Sequence, residues 1–239
     1  MHLCDLSLSA PAENLACDEA LLELAEEGAA GEILRFWQPT QYFVVLGYAN
    51  KRATEVNLAF CEQNRIPVLR RCSGGGTVLQ GPGCLNYALV LRIDESPSRQ
   101  SIPGTNEEVL RKHRAALTQL LSAPVEKQGQ TDLAINLLKF SGNAQRRKKQ
   151  FLLFHGSFLL SFDLGLMEKV LLMPSHQPAY RANRSHLDFL TNLRLPAADV
   201  KRALREAWQA TDPLPEVPLK EIARLAQEKY VQEIWSSKF

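Results

Sequence analysis

The chain opens with apolar residues at helical spacing. Leu15, Ala16, Ala20, Leu21, Leu24 and Ala25 recur every three to four positions, acids take the other face, and Gly28 and Gly31 close the segment. A helix is therefore predicted over about 12–30. The rhythm then shortens: GEILRFWQ alternates polar and apolar residues up to Pro39, and YFVVLGY is a compact β-branched run, so both read as strands. A helix is predicted over 54–65, then the strand IPVLRR and, after a glycine-rich stretch at 72–84, the strand LNYALVLRI. Residues 105–122 form an amphipathic helix pattern, with Thr105 as N-cap and Glu108 as its capping-box partner. DLAINLLKFSG and FLLFHGSFLLSF read as strands, 164–171 as a helix, and MPSHQPAYRANRS as a long polar loop. From about Ala197 the pattern is helical again. Strands broken by helices, without regular βαβ alternation, predict an α+β fold with mixed sheets.

Composition narrows the class. The 239 residues are 45% hydrophobic and 23% charged, ordinary values for a globular chain long enough to fold without disulfides or metals. A net charge of +2 points away from nucleic acid or a membrane surface as partner. No run approaches the ~18 apolar residues of a membrane span, and the N-terminus lacks the basic start of a signal peptide. The five cysteines, an odd number with no CxxC pair, all lie in the first 84 residues. A disulfide framework or cysteine zinc site is not expected, and a reduced, cytoplasmic setting fits.

Four constellations could carry chemistry. CSGGGTVLQGPGC holds five glycines in thirteen positions behind Arg70 and Arg71. It joins two strands, so it is neither a Walker nor a Rossmann loop. Adjacent glycines can bare successive backbone N–H groups to a ligand, with Arg71 as a planar cationic donor; a tight strand connection is the plainer reading. Lys139 ends an apolar strand beside Ser141, Gly142 and Asn143, and is either a phosphate-neutralising ammonium in a cleft or a solvated edge lysine. His155 sits in an apolar strand before Gly156; a packed core histidine is the commoner outcome for that pattern. His176 and His186 lie ten apart and do not form a metal motif. Arg146, Arg147, Lys148 and Lys149 form a basic run that either steers an acidic partner or covers a solvated turn.

Together these motifs resemble the lipoate–protein ligase A family, within the biotin/lipoate ligase catalytic-domain superfamily. The resemblance is carried by RRCSGGGTVLQGPGCLNYALVL, TDLAINLLKFSGNAQRR, FHGSFLL and RSHLDFLTNL, in order, and extends from the NLACDEALL helix to about Leu193. It implies curved mixed sheets flanked by helices, like the catalytic domains of class II aminoacyl-tRNA synthetases and biotin synthetase. It also implies condensation of lipoate with ATP and Mg²⁺ to lipoyl-AMP, then transfer to one lysine of a carrier: the lipoyl domain of an E2 subunit or the glycine cleavage H protein. By the same resemblance, Arg71 contacts nucleotide phosphates, and Gly75, Gly76, Thr77, Val78 and Leu79 line the acyl-adenylate site. Asn86 follows on the next strand, Asp132 lies near phosphate and Mg²⁺, and Lys139 contacts the acyl carbonyl and phosphate as the catalytic cation. Ser141, Gly142, Asn143 and Ala144 continue its motif, His155 and Gly156 flank the site, and Trp37 and Gly47 lie near the pocket. Val44, Leu46 and Leu89–Leu91 are candidates to line the acyl slot.

The pattern departs from the family at its end. Residues 197–239 read as a short helical extension of a single domain spanning 1–239, in place of a separate accessory C-terminal domain. The accessory role then falls to a second polypeptide or is dispensed with. Two other activities fit the same fold. An octanoyltransferase would take its acyl group from acyl carrier protein through a cysteine thiolate, yet the loop from Pro124 to Thr131 has no cysteine, leaving only Cys72 and Cys84 near the glycines. A non-catalytic acyl- or carrier-binding module would have no use for both the lysine and the glycines.

Overall fold

A computed structural model describes residues 1–239. Strand β1 (His2–Asp5) leads into helix α1 (Pro11–Glu26), followed by β2 (Ile33–Trp37) and β3 (Phe43–Leu46). Two short helices, α2 (Arg52–Glu55) and α3 (Leu58–Gln63), precede β4 (Val68–Arg70), β5 (Val78–Gln80) and β6 (Cys84–Arg92). Helix α4 (Ile102–Leu121) is followed by β7 (Glu126–Gln128), β8 (Asp132–Ile135), β9 (Leu138–Arg147) and β10 (Phe151–Leu159). The remainder holds α5 (Leu164–Val170), α6 (His186–Phe189), α7 (Ala197–Trp208), the two-residue β11 (Asp212–Pro213), α8 (Leu219–Leu225) and α9 (Glu233–Ser236). The architecture is mixed α+β, as its sequence suggests. An eight-stranded mixed sheet runs β11-β1-β2-β6-β10-β9-β8-β7, and a three-stranded sheet runs β4-β3-β5.

The central strands have no solvated face. Alternate residues of β2 and β6 feed two cores: Ile33, Trp37, Ala88 and Val90 pack under α1, while Leu34, Phe36, Leu85, Leu89 and Leu91 pack under α4 and α7. All five residues of β2 are buried, so the polar positions in GEILRFWQ do not mark a wet face. A third core joins the small sheet to α5 and α6 through Val44, Leu46, Leu79, Met167, Val170 and Phe189.

Several elements differ from the sequence pattern. The 54–65 helix is broken at Val56, which is extended and bridges to Leu171, and Asn57 then caps α3 by accepting from the Phe60 N–H. Helix α4 begins three residues early. Ser101 is its N-cap, accepting from the Gly104 N–H, while Thr105 is buried inside the first turns and Glu108 pairs with Arg99. DLAINLLKFSG contains a hairpin, because Asn136 and Leu137 both adopt positive φ between β8 and β9. The polar loop is partly structured, with a 3₁₀ turn at Ala179–Arg181 and then α6.

The C-terminal extension divides: α7 belongs to the second core, and the segment from α8 onward belongs to the first. Ile222, Ala226 and Tyr230 pack in the same core as α1, which contacts both α8 and the β10, β6 and β2 strands of the large sheet. That explains why α1 is buried nearly all round. No helix is long and apolar enough to cross a membrane.

Candidate active site

Strand register assembles the site. On β10, His155, Gly156 and Ser157 face Ala144, Asn143 and Gly142 of β9 on one side, and Ala88, Tyr87 and Asn86 of β6 on the other. KFSGNA, HGS and LNY thus become three adjacent rungs, although they are far apart in the chain. The glycine bend, between β4 and β5, closes over them. Gly75 takes φ +85°, and a Cβ there would press on the Arg71 guanidinium and the Ala144 methyl. Gly47 backs the bend: a Cβ at that position would overlap the Gly75 carbonyl.

Two cavities meet at this bend. The smaller, about 180 Å³, runs between α1 and the large sheet. Thirteen of the residues expected at the site line it: Arg71, Gly75, Gly76, Thr77, Val78, Asn86, Asp132, Lys139, Gly142, Asn143, Ala144, His155 and Gly156. Trp37 joins them. The larger, about 630 Å³, opens on the far side towards α5 and α6 and takes Leu79 and Ser141, with Met167, Leu171 and Phe189 as apolar wall. Lys139, Asp132, Gly142 and the bend from Gly75 to Val78 line both.

The acyl-slot candidates need correction. Val44, Leu46 and Leu89–Leu91 line neither cavity; they are packed in the cores. Their strand neighbours face the small cavity instead: Val45, with Leu15 of α1 and Val78. A strand shows alternate residues to opposite faces, so Val44 and Leu46 turn away where Val45 turns in, while Leu89–Leu91 lie further along β6 than Asn86 and Tyr87, which do line the cavity.

Lys139 points into the junction, with its ammonium 2.8 Å from Asp132 Oδ1 and its side chain 25% exposed. Gly142 makes room for it, since a Cβ there would meet Nζ at 2.9 Å. Asp132 Oδ2 accepts from the Tyr180 hydroxyl at 2.8 Å, and burial beside that carboxylate pushes the Tyr180 pKa up. Asn143 is structural as well as site-lining: its amide donates to the Thr131 carbonyl and its oxygen accepts from the Tyr87 hydroxyl.

Arg71 is turned onto the bend. Nη2 donates to the carbonyls of Gly74 (2.5 Å) and Gly76 (2.8 Å), and Nε donates to Ser73 Oγ (3.0 Å). Burial lowers its pKa to about 10, so the guanidinium stays charged at neutral pH. Several buried polar atoms at the site lack a partner: Trp37 Nε1, Thr77 Oγ1, Ser141 Oγ and Asn50 Oδ1.

His155 is half of a chain that the sequence did not reveal. Nδ1 lies 3.0 Å from Asp18 Oδ2, and Nε2 lies 2.6 Å from Ser73 Oγ. Asp18 also pairs with the fully buried Arg35 at 2.5 Å. Its place within the apolar series of α1 was the available signal, because a carboxylate there needs a buried cation. His176 and His186 line the larger cavity, His186 beside Glu168, and no group of three potential metal ligands occurs. The basic run divides. Arg147 is held by the Arg99 carbonyl and Lys148 pairs with Glu23, while Arg146 and Lys149 are exposed.

A mixed α+β fold with a glycine bend and a cavity-facing lysine between two pockets defines a protein built to receive a ligand at that junction. More particularly, the chain belongs to the lipoyl protein ligase A/B catalytic domain family, whose model matches residues 10–209. Among curated relatives, a probable lipoate-protein ligase A of Mycoplasma pneumoniae is 27% identical over 95% of this chain and 68% of its own length. The octanoyltransferase LipM of Halalkalibacterium halodurans is 26% identical over 95% of this chain and 94% of its own. Among solved structures, a lipoate-protein ligase A bound with ATP superposes with a TM-score of 0.83 at 23% identity, over 99% of this chain and 98% of that one.

Proposed function

We propose that this chain is the adenylating catalytic domain of a lipoate–protein ligase: it joins a lipoate carboxylate to ATP and passes the acyl group to a lysine of a lipoyl carrier domain. One observation favours this over the transferase activity of its LipM relative. The cation offered to both cavities is the Lys139 ammonium, and no thiol lines either of them. Cys72 and Cys84 are buried, and burial raises both thiols to about 12, whereas a thiolate nucleophile needs a lowered pKa and access to its substrate.

The geometry suits two half-reactions. The acyl tail lies in the small cavity between Leu15, Trp37, Val45 and Val78, and the nucleotide lies in the larger one. Their reacting ends meet at the bend. A carboxylate oxygen attacks the α-phosphorus, the bond to pyrophosphate breaks, and Lys139 with backbone N–H groups stabilises the added charge. The neutral carrier amine then attacks the acyl carbonyl, Lys139 stabilises the oxyanion, and AMP leaves as the amine loses its proton. No enzyme nucleophile is needed. Asp132 is the single carboxylate lining both cavities, and it is the residue that would hold a Mg²⁺ carried by the nucleotide. The ion would supply charge neutralisation there.

The test is lipoate-dependent exchange of pyrophosphate into ATP. Purified protein should support it, and Lys139→Ala should lower it by at least ~10²-fold, the scale of losing one transition-state charge contact. Acyl transfer from acyl carrier protein without ATP, and no exchange, would reject this reading in favour of the transferase.

A further inference from the structure

We propose that Ser73 and His155 are positioning residues, links in a directed hydrogen-bond relay, Arg35–Asp18–His155–Ser73–Arg71, that holds the triple-glycine bend in its ligand-receiving shape. Only the kinetic part of the test below rests on the adenylation reading.

The relay assigns a direction to each link. A guanidinium only donates, so Arg71 Nε–H gives its hydrogen to Ser73 Oγ at 3.0 Å, sharing it with the Gly74 carbonyl at 3.2 Å. The Ser73 hydroxyl then has one proton to give, and its partner is His155 Nε2 at 2.6 Å. A carboxylate only accepts, so Nδ1 carries a proton and donates it to Asp18 Oδ2 at 3.0 Å, and the relay has the Ser73 hydroxyl donating to Nε2. Asp18 Oδ1 accepts from Arg35 Nη1 at 2.5 Å. Arg35 is anchored in turn by the Leu6 and Asn14 carbonyls and by Asn14 Oδ1. At the other end, Arg71 gathers the Gly74 and Gly76 carbonyls that flank Gly75 at φ +85°. The orientation of the bend is thereby tied to the floor of the small cavity.

Serine, histidine and aspartate in series also describe a hydrolase triad, but the surroundings do not support one. Ser73 is fully buried, its oxygen already accepts from Arg71, and it lines neither cavity, whereas His155 and Asp18 do line one. A nucleophile must reach substrate; this hydroxyl reaches only its two neighbours. What remains for it is to hold Arg71.

Three variants separate the links. Ser73→Ala removes the central hydroxyl. His155→Gln keeps an oxygen where Nε2 accepted from Ser73, and His155→Asn keeps a nitrogen where Nδ1 donated to Asp18. Backbone amide exchange at Gly74–Thr77 reads the bend directly. In Ser73→Ala and His155→Asn it should accelerate by about tenfold, the scale of one lost buried hydrogen bond, while His155→Gln stays near wild type. In lipoate-dependent pyrophosphate exchange, the same two variants should raise the KM for ATP by about tenfold with kcat changed less, because positioning and not chemistry is lost. Wild-type amide exchange in Ser73→Ala, or equal shifts in His155→Asn and His155→Gln, would overturn the relay. If wild-type protein shows no lipoate-dependent exchange, the ligase reading fails, and amide exchange still decides the relay.

Discussion

At the scale of single residues, Gly76 gives the cleanest probe of the site. A Cβ at Gly76 meets no protein atom within 4 Å, and its φ lies outside the left-handed region. Gly76→Val therefore adds methyls to the ligand space without straining the bend. Thermal stability should stay within about 0.5 kcal/mol of wild type, as for other strain-free substitutions, while titration calorimetry should show lipoate or nucleotide binding weakened or lost. Unchanged affinity for both would remove the bend from the binding surface. Arg35 tests the opposite kind of residue. It is wholly buried against Asp18, and Arg35→Met leaves that buried carboxylate with only its His155 contact. Urea unfolding should show a loss of about 3–5 kcal/mol. The two residues also mark what the sequence discloses. Gly76 and Lys139 sit in contiguous motifs whose composition is itself the signal. Arg35 and Asp18 are seventeen positions apart, and only the place of Asp18 among the apolar residues of α1 hints at a buried partner. Ser73 was in view within the glycine motif, but its histidine partner lies eighty-two residues on.

At the scale of elements, periodicity located most helices and strands, and local chemistry misplaced their ends. Helix α4 was expected to start at Thr105 because Thr105 and Glu108 have capping-box spacing; Ser101 wins because Ile102 and Pro103 begin the helix, with proline already suited to its first turn. Ser101→Ala should cost about 1 kcal/mol in chemical denaturation, the usual value of a cap. Should Ser101→Ala cost nothing, the helix start is misassigned. The basic run at the β9–β10 hairpin shows the same limit, since charge pattern says nothing of which cations are already paired. Lys148 is bound to Glu23 and Arg147 to the Arg99 carbonyl, so reversing their charge would disturb folding. Arg146→Glu with Lys149→Glu is the fair test of carrier docking. If this edge steers an acidic carrier, acyl transfer should slow several-fold at low salt, with adenylation unchanged and the difference fading as salt is added. Equal slowing of both steps would assign the run to something other than docking.

At the scale of the whole molecule, the extension from 197 onward was legible as helix but not as core, because its partners lie at the other end of the chain. α7 covers the sheet face opposite α1, and there Trp208 donates its indole N–H to Nε2 of His113 at 2.9 Å. His113 is fully buried, and its pKa is lowered to about 3 chiefly by burial, with the nearby Lys112 charge adding to it. The sign of the effect on stability follows. An unfolded histidine titrates near 6.5, so below that pH the unfolded chain binds a proton that the folded one refuses. Stability from this group is whole above about pH 6.5 and is lost steadily as pH falls towards 3, by up to roughly 5 kcal/mol. His113→Gln keeps an acceptor for Trp208 and removes the titration. Urea midpoints measured from pH 7 to pH 4 should fall more steeply for wild type than for His113→Gln, the gap widening by about 1.4 kcal/mol per pH unit, since carboxylate titration is common to both. Parallel curves would mean that His113 gains its proton in the folded state, which the Trp208 contact forbids.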